Sequence, residues 1–229
     1  MQVYIFFFIK RMKYQKPRVK ICCISSIEEA QTAILFGASA IGLVSEMPSG
    51  PGVIPEELIR EIAQSVPVGI DTFLLTSKQN PEEVIAQQQK TRVNTIQLVD
   101  AFPISGYTVL RQALSGIRMV QVIHVVENTS LQDAEAIAPY VDAILLDSGN
   151  PSLTVKELGG TGRIHDWSMS RRIRDSVDVP IYLAGGLKPE NVHNAIEQVH
   201  PYALDVCSGV RTNGHLDKHK LEAFFSHIK

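Results

Sequence analysis

The sequence has few cysteines, and their spacing excludes several classes of site. Its 229 residues include three cysteines, Cys22, Cys23 and Cys207, and none of them forms a CxxC pair. An odd number of cysteines without metal-ligand spacing argues against a disulfide framework and against a structural zinc site. Free thiols suit a reducing compartment, so we expect a cytoplasmic protein with no metal site.

Charge of either sign is also modest, and long apolar runs are missing. The chain has 22 basic and 24 acidic residues and a formal net charge of -2, without the basic stripe of a nucleic-acid-binding protein. The apolar run Val3 to Ile9 is too short to span a bilayer. Its basic residues follow the run, whereas those of a signal peptide precede it. We expect no nucleic-acid partner and no membrane span.

Residues 1–17 are interpreted as an N-terminal extension. They form an extra strand or helix that plugs the bottom of the domain, or they reflect an upstream start codon with Met12 as the natural start. A membrane-surface anchor is the remaining alternative.

From Arg18 onward, short apolar runs alternate with amphipathic stretches of helical length. The apolar fraction of 45% and the charged fraction of 20% are typical of a soluble globular domain. Most of the runs are continuously apolar, as expected for parallel strands that are covered on both faces. The predicted strands are Val19–Ile24, Ala40–Val44, Val68–Leu74, Thr95–Val99, Met119–His124, Ala143–Asp147, Ile181–Ala184 and Ala203–Cys207.

Helix-start residues stand between these strands. Ser26 and Glu29 form a capping box at the start of the first predicted helix, and Gly37 can end that helix as a C-cap. Pro55 begins a second helix, and Asn80 precedes Pro81 at the start of a third. Strict strand–helix alternation over eight units predicts a single (β/α)₈ TIM barrel in residues 18–229. An open doubly wound sheet is the alternative, but no GxGxxG motif follows the first strand. The later helices are predicted at Ser105–Leu114, Ser130–Ala138, Ser168–Val177, Pro189–Val199 and Asp217–Ile228.

In such a barrel the reacting groups gather where the strands end. The first strand ends in Cys22 and Cys23, which point to opposite faces if both lie in the strand. A thiol at the mouth is either a general base or nucleophile, or a small buried apolar side chain. Asp147 follows three aliphatic residues at the end of the sixth strand and is either a general acid, or an N-cap or loop-organising carboxylate. His124 and His165 are candidate bases by residue type only.

Glycine-rich turns follow the last three predicted strands. Backbone N–H groups of such turns can surround an anion, and the loops after strands seven and eight of a barrel often bind phosphate. We therefore favour a phosphorylated small molecule as ligand over the alternative of three ordinary tight turns. The turns contain Gly159-Gly160-Thr161-Gly162, Gly185-Gly186 and Ser208-Gly209.

Together these motifs resemble the phosphoribosylanthranilate isomerase family from about Val19 to the C-terminus. The order GGTG…DW, LAGGL-x-PENV and DV-x-SGV in the second half is the specific part of the resemblance. The motifs are Val19-Lys20-Ile21-Cys22, Gln97-Leu98, Leu146-Asp147-Ser148, Gly159–Gly162 with Asp166-Trp167, Leu183–Val192 and Asp205–Val210.

The resemblance implies a barrel enzyme that performs an Amadori rearrangement in tryptophan biosynthesis without any cofactor. It implies that Cys22 is the general base and Asp147 the general acid. It also implies that Asp205 helps to hold the sugar. We expect a monomer or a homodimer. The phosphate would be bound by Gly160, Gly162, Gly185, Gly186, Ser208 and Gly209.

Four positions depart from the family pattern. Cys23 stands where a glycine is usual, the loop Ser45–Val53 lacks the usual arginine that pairs with the anthranilate carboxylate, and Arg211 replaces a glutamate. Val99-Asp100 replaces the usual His-Gly after Gln97-Leu98. The substrate is therefore either phosphoribosylanthranilate or a related phosphosugar.

Two other functions compete with the isomerase. A non-catalytic barrel that binds a phosphorylated ligand would need neither Cys22 nor Asp147. A barrel aldolase or synthase would usually need a lysine at the end of a strand, whereas Lys20 lies within the first strand and Lys156 in a loop.

Overall fold

The structure, a computed structural model, describes residues 16–125, 129–149 and 165–228. Within these ranges, eight parallel strands form one closed barrel in chain order. The predicted N-terminal extension lies outside the described residues, apart from Lys16 and Pro17. The strands are β1 (Arg18–Ile21), β2 (Ala40–Val44), β3 (Asp71–Thr76), β4 (Thr95–Leu98), β5 (Arg118–His124), β6 (Ala143–Asp147), β7 (Ile181–Leu183) and β8 (Ala203–Val206).

Helices connect successive strands, so the predicted (β/α)₈ barrel is confirmed. Among the described residues, no helix combines the length and the apolarity needed to cross a bilayer. The helices are α1 (Ile27–Leu35), α2 (Glu56–Ser65), α3 (Pro81–Thr91), α4 (Ile104–Ala113), α5 (Thr129–Ile137), α6 (Trp167–Ser176), α7 (Val192–Val199) and α8 (Lys218–Ser226). Short 3₁₀ turns cover Ala138–Tyr140 and Ser208–Val210.

The apolar core has two layers, as a barrel requires. The larger layer lies between the strands and the surrounding helices and contains residues such as Ile41, Leu74 and Ile144. The smaller layer fills the barrel interior, and its members include Phe73 and Tyr182, whose ring centroids are 5.7 Å apart. Side chains such as these therefore fill the barrel interior, and Cys22 and Cys23 of the same cluster follow the carboxyl end of β1.

Side-chain caps begin several helices, and those of Ser26 and Asn80 stand where the sequence predicted them. The Ser26 hydroxyl accepts a hydrogen bond from the Glu29 N–H at 3.2 Å. Asn80 accepts from the N–H groups of Glu82 and Glu83, and Asp166 caps α6 by accepting from the Ser168 N–H at 2.8 Å. These local bonds satisfy N–H groups that the first turn of a helix leaves unpaired.

The third strand begins later than predicted. Val68 is fully exposed and lies in a turn, because Gly69 has a φ of 96° and the Ile70 N–H donates to the Pro67 carbonyl. The β-branched side chain of Val68 favours a strand, but the left-handed backbone of Gly69 forms a turn instead, and the strand begins only at Asp71.

A short hairpin near the C-terminus was not predicted. It pairs β9 (Arg211–Thr212) with β10 (His215–Leu216) in antiparallel fashion. Its turn residues Asn213 and Gly214 both have positive φ, at 50° and 82°. Asn-Gly is the preferred pair for such a turn and is the sequence feature that could have revealed it.

The Asn80 cap provides a test of this account of helix initiation. Asn80→Ala should lower the free energy of unfolding by about 1 kcal/mol, because two N–H groups of α3 lose their acceptor. Asn80→Asp keeps a capping oxygen and should stay near the parent value. Urea denaturation of both variants checks this, and an unchanged midpoint for Asn80→Ala would contradict it.

Candidate active site

A cleft opens at the carboxyl ends of the strands, where a barrel places its functional groups. Side chains and loops from β1, β2, β3, β4, β6, β7 and β8 line it. The predicted site residues that line this cleft are Cys22, Asp147, Gly185, Gly186, Asp205 and Ser208. Gly209 lies in an adjoining depression with Gly186, Lys188, Ser208 and Lys220. Gly160 and Gly162 lie outside the described residues.

Both cysteines after β1 face the mouth, contrary to the alternation expected for a continued strand. β1 ends at Ile21, although the Cys22 N–H still donates to the Val206 carbonyl at 2.9 Å. Cys23 then adopts a left-handed backbone conformation with a φ of 61°. This turn breaks the two-residue period, and both side chains are buried in the interior cluster at the mouth.

A buried ion pair stands directly below Cys22. Lys20 is fully buried, and its Nζ lies 2.7 Å from Oδ2 of Asp205. The same Nζ donates to the Cys22 sulfur at 3.5 Å. Lys20 and Cys22 are two residues apart, so both point into the barrel, and one ammonium group contacts a carboxylate and a thiol.

The surroundings of Lys20 keep it protonated. Burial by itself would lower the pKa of Lys20, but the negative charge and the hydrogen bond of Asp205 oppose it, and the pKa is raised above its ordinary value. Burial also raises the pKa of Asp205, with a contribution from Asp147, against the pull of Lys20. We take the ion-paired form as the folded state, because the two charged atoms are in direct hydrogen-bond contact. Gly42 makes room for the pair, since a Cβ there would lie 2.8 Å from the Cys22 sulfur.

Asp147 stands at the end of β6, away from Cys22 around the ring. Two strands, β7 and β8, separate them on one side and four strands on the other. The Asp147 side chain is buried, and its Oδ1 accepts a hydrogen bond from the Ser148 N–H at 2.7 Å. A carboxyl group and a thiol thus reach the same cleft from separate strands.

The two candidate histidines lie near Asp147, but each forms a hydrogen bond to another part of the barrel. His124 is the register partner of Asp147, and its Nε2 lies 3.0 Å from the Val99 carbonyl. His165 lies 2.7 Å through Nε2 from the Ser170 hydroxyl. Burial lowers the pKa of His165, although Asp147 opposes the shift, so this ring is neutral at neutral pH.

The glycine turns after β7 and β8 approach each other closely. Gly185 and Gly186 have φ values of 80° and 64°, and the Asn191 amide holds the turn by donating to the Gly186 carbonyl at 2.9 Å. A Cβ on Gly209 would collide with the carbonyl oxygen of Leu187. Two exposed-backbone turns therefore face one another, as an anion-binding cradle requires.

The loop Ser45–Val53 covers one side of the cleft and is pinned at both ends. The Ser45 hydroxyl donates to the Leu75 carbonyl at 2.7 Å, and the Ile54 N–H donates to the Val44 carbonyl at 2.9 Å. Met47, Ser49, Gly50 and Pro51 of this loop line the cleft. The surface presented there is largely neutral.

Arg211 supports the mouth from outside the cleft. Its guanidinium contacts Glu29 at 2.8 Å and donates to the carbonyls of Cys23 at 2.6 Å and Cys22 at 3.2 Å. Burial would lower the pKa of Arg211, but Glu29 outweighs it and the pKa is raised. This arginine, one of the departures from the family pattern, thus fixes the backbone on which both cysteines stand.

Sequence reasoning missed Lys20 and the contact between Cys23 and Cys207. The two-residue spacing of Lys20 and Cys22 could have placed the lysine in the barrel interior. The cysteine contact joins β1 to β8 and has no local sequence feature. Within the described ranges, no group of three potential ligands among His, Cys, Asp and Glu comes together as a metal site.

The chain matches a family model over nearly its whole length. The model is that of N-(5'phosphoribosyl)anthranilate (PRA) isomerase and covers residues 19–227. An N-(5'-phosphoribosyl)anthranilate isomerase of Methanosarcina acetivorans is 33% identical over 93% of this chain and 94% of its own. A second, from Methanocella arvoryzae, is 36% identical over 84% of this chain and 88% of its own.

Solved structures agree with these sequence matches. The crystal structure of phosphoribosyl anthranilate isomerase from Thermotoga maritima has a TM-score of 0.80 and 30% identity, covering 93% of this chain and 98% of that one. Another was solved in complex with reduced 1-(o-carboxyphenylamino)-1-deoxyribulose 5-phosphate and has a TM-score of 0.77, 28% identity and the same coverage. A further Thermotoga maritima structure is of monomers made from a dimeric enzyme.

The Lys20–Asp205 pair leads to a stability prediction. Lys20→Met should lower the free energy of unfolding by about 3–5 kcal/mol, because it leaves Asp205 buried without its counter-ion. Replacing both partners, as Lys20→Met with Asp205→Leu, should recover most of that loss. Denaturant unfolding of the single and double variants measures the difference. If the free energy of unfolding of Lys20→Met lay within about 1 kcal/mol of the parent value, the prediction would be contradicted.

Proposed function

The chain belongs to the N-(5'-phosphoribosyl)anthranilate isomerase family, and on that premise we propose that it catalyses the Amadori rearrangement of N-(5-phosphoribosyl)anthranilate. The aminoaldose becomes the 1-deoxyribulose aminoketose, a step of tryptophan biosynthesis. The observation that carries the proposal is that Cys22, Asp147 and the two glycine turns line one cleft.

In the proposed mechanism, Asp147 acts first. Its carboxylic acid protonates the ring oxygen of the ribose, and the C1–O bond breaks to give an open-chain iminium ion stabilised by the amine nitrogen. Asp147 lies at the end of β6 and lines the cleft, so its carboxyl group can reach a sugar bound there.

Cys22 then removes the proton from C2 of the sugar as a thiolate. The electron pair of the C2–H bond moves to the C1–C2 bond and neutralises the iminium, which gives an enolamine. Protonation of C1 and loss of the C2 hydroxyl proton complete the ketose. The proton that Cys22 took up passes through solvent to Asp147, which restores both groups for the next turnover. The Nζ of Lys20 lies 3.5 Å from the Cys22 sulfur and holds it at the mouth of the barrel.

We propose that the phosphate sits between the glycine turns after β7 and β8. Backbone N–H groups of Gly185, Gly186, Ser208 and Gly209 are the proposed donors, supported by the close approach of Gly209 to Leu187. Gly160 and Gly162 would complete the cradle. Asp205 would accept a hydrogen bond from a sugar hydroxyl, since its Oδ1 has no hydrogen-bond partner among the described residues.

Fewer polar groups of the site face the anthranilate end of the proposed substrate. Met47, Ser49 and Pro51 face the region that an aromatic ring would occupy, in a loop whose sequence contains no arginine. A neutral surface suits a flat aromatic ring but gives no charge-assisted bond to a carboxylate. A related phosphosugar amine with a different substituent is therefore the second candidate substrate, and the chemistry would be unchanged.

The cysteines and the site residues bear on the cellular compartment and on the oligomeric state. Cys22, Cys23 and Cys207 are free thiols in the structure, so we propose a reducing compartment such as the cytoplasm. Each proposed site residue belongs to the same barrel, so a monomer and a homodimer would serve equally well.

Removing either proton-transfer group tests the assignment. Cys22→Ser and Asp147→Asn should each lower kcat for phosphoribosylanthranilate roughly 10²- to 10⁴-fold, because each removes one proton transfer. Both variants should still bind the reduced aminoketose product analogue, measured by calorimetry. Asp166→Asn, which changes an exposed helix cap, is the matched carboxylate control and should retain turnover. A parent protein that binds the analogue but shows no turnover would favour the non-catalytic alternative.

The proposed phosphate cradle has its own test. Gly209→Ala should raise KM for the phosphorylated substrate about tenfold or more, because the new methyl group meets the Leu187 carbonyl and pushes the turns apart. Gly116→Ala is the control, since a Cβ on Gly116 meets no neighbouring atom and Gly116 does not line the cleft, although its positive φ strains any added side chain. Steady-state kinetics distinguish them, and an equal KM in both variants would exclude Gly209 from the cradle.

A further inference from the structure

A pair of thiols beside the cleft has no part in the proposed proton transfers. The sulfur atoms of Cys23 and Cys207 lie 2.6 Å apart, although the residues are 184 positions apart in the chain. A disulfide bond is about 2.03–2.05 Å long, so the two sulfurs would need to move closer by only about 0.6 Å to bond. Cys23 is buried, Cys207 is half-buried, and both line the cleft, which gives a small molecule access to them.

We propose that Cys23 and Cys207 form a redox-active dithiol that an oxidised low-molecular-weight disulfide converts into an intramolecular disulfide across the mouth of the barrel. Cys22, the proposed base, remains a free thiol in this reaction. The proposal concerns thiol chemistry alone and does not depend on which substrate the cleft isomerises.

The surroundings determine which sulfur reacts first. The hydrogen bond with Cys23 lowers the pKa of Cys207; burial opposes this shift and the charge of Arg211 adds to it. Hydrogen bonds to Cys207 and Cys22, together with burial, raise the pKa of Cys23. Cys207 is therefore the thiolate that attacks, and Cys23 is the thiol that resolves the intermediate.

The reaction balances as two thiol–disulfide exchanges. The Cys207 thiolate attacks one sulfur of the external disulfide, forms a mixed disulfide and releases one small thiolate. Cys23 then attacks the Cys207 sulfur, its proton passes to the second departing thiolate, and the protein disulfide forms. Two protein thiols are oxidised and one external disulfide is reduced to two thiols.

Geometry disfavours a disulfide between Cys22 and Cys23, and Cys22 has another contact. Adjacent Cα atoms such as those of Cys22 and Cys23 are about 3.8 Å apart, less than the roughly 4.4–6.8 Å that a disulfide usually spans. The Cys22 sulfur is also engaged by Lys20 at 3.5 Å. Arg211 donates a hydrogen bond to the carbonyl of Cys23 at 2.6 Å and so fixes the backbone from which the Cys23 side chain reaches Cys207.

Thiol counting and peptide mapping test the proposal on the full-length protein. After incubation with oxidised glutathione, Ellman's reagent under denaturing conditions should detect one thiol in place of three, and reductant should restore all three. Mass spectrometry of the alkylated, unreduced protein should show loss of two hydrogens, a Cys23–Cys207 crosslink and an alkylated Cys22.

Matched variants identify the pair. Cys22→Ala should fall from two thiols to none, because the reacting pair is intact, whereas Cys207→Ser should retain both remaining thiols. Circular dichroism checks that each variant is folded. Three thiols remaining in the parent protein, a stable glutathione adduct on Cys207, a crosslink that includes Cys22, or a disulfide between two chains would each overturn the proposal.

Discussion

The contact between Lys20 and Asp205 joins the first strand of the barrel to the last. The two residues are register partners in the β1–β8 pair, which closes the ring, and their charged atoms are 2.7 Å apart in the barrel interior. Burying two charges costs solvation energy, so the pair is favourable only with this close geometry. A slip of one residue in register would turn one partner out of the interior. Closure of the barrel and the position of Cys22 thus depend on the same contact.

Around this pair, the departures from the family pattern support one another. Cys23 adopts a left-handed conformation that glycine would adopt without strain, and Arg211 compensates by binding its carbonyl. Glu29 holds Arg211 in turn, and Gly52 leaves room for Cys23, since a Cβ there would lie 2.6 Å from the Cys23 Cβ. The changed residues after β1, β2 and β8 therefore form one packed unit at the mouth.

The parts of this structure that could be predicted from sequence are those that local chemistry determines. Strand–helix alternation predicts the barrel, and caps such as Asn80 predict where helices begin. Cys22 and Asp147 were identifiable because polar groups at strand ends face the mouth. The Arg211–Glu29 contact and the approach of Cys23 to Cys207 join residues distant in the chain, and only closure of the barrel brings them together. At Val68 a local sequence feature predicted the wrong structure, because the turn at Gly69 overrides the strand preference of the valine.

In the proposed mechanism, an acid and a base reach one phosphosugar from opposite sides of the mouth. A crystal structure of this protein with reduced 1-(o-carboxyphenylamino)-1-deoxyribulose 5-phosphate tests it most directly. We predict the phosphate between the Gly185-Gly186 and Ser208-Gly209 turns, the sugar C2 beside the Cys22 sulfur, and the Asp147 carboxyl on the other side of the sugar. A phosphate bound elsewhere, or a sugar chain that contacts only one of the two groups, would contradict the account.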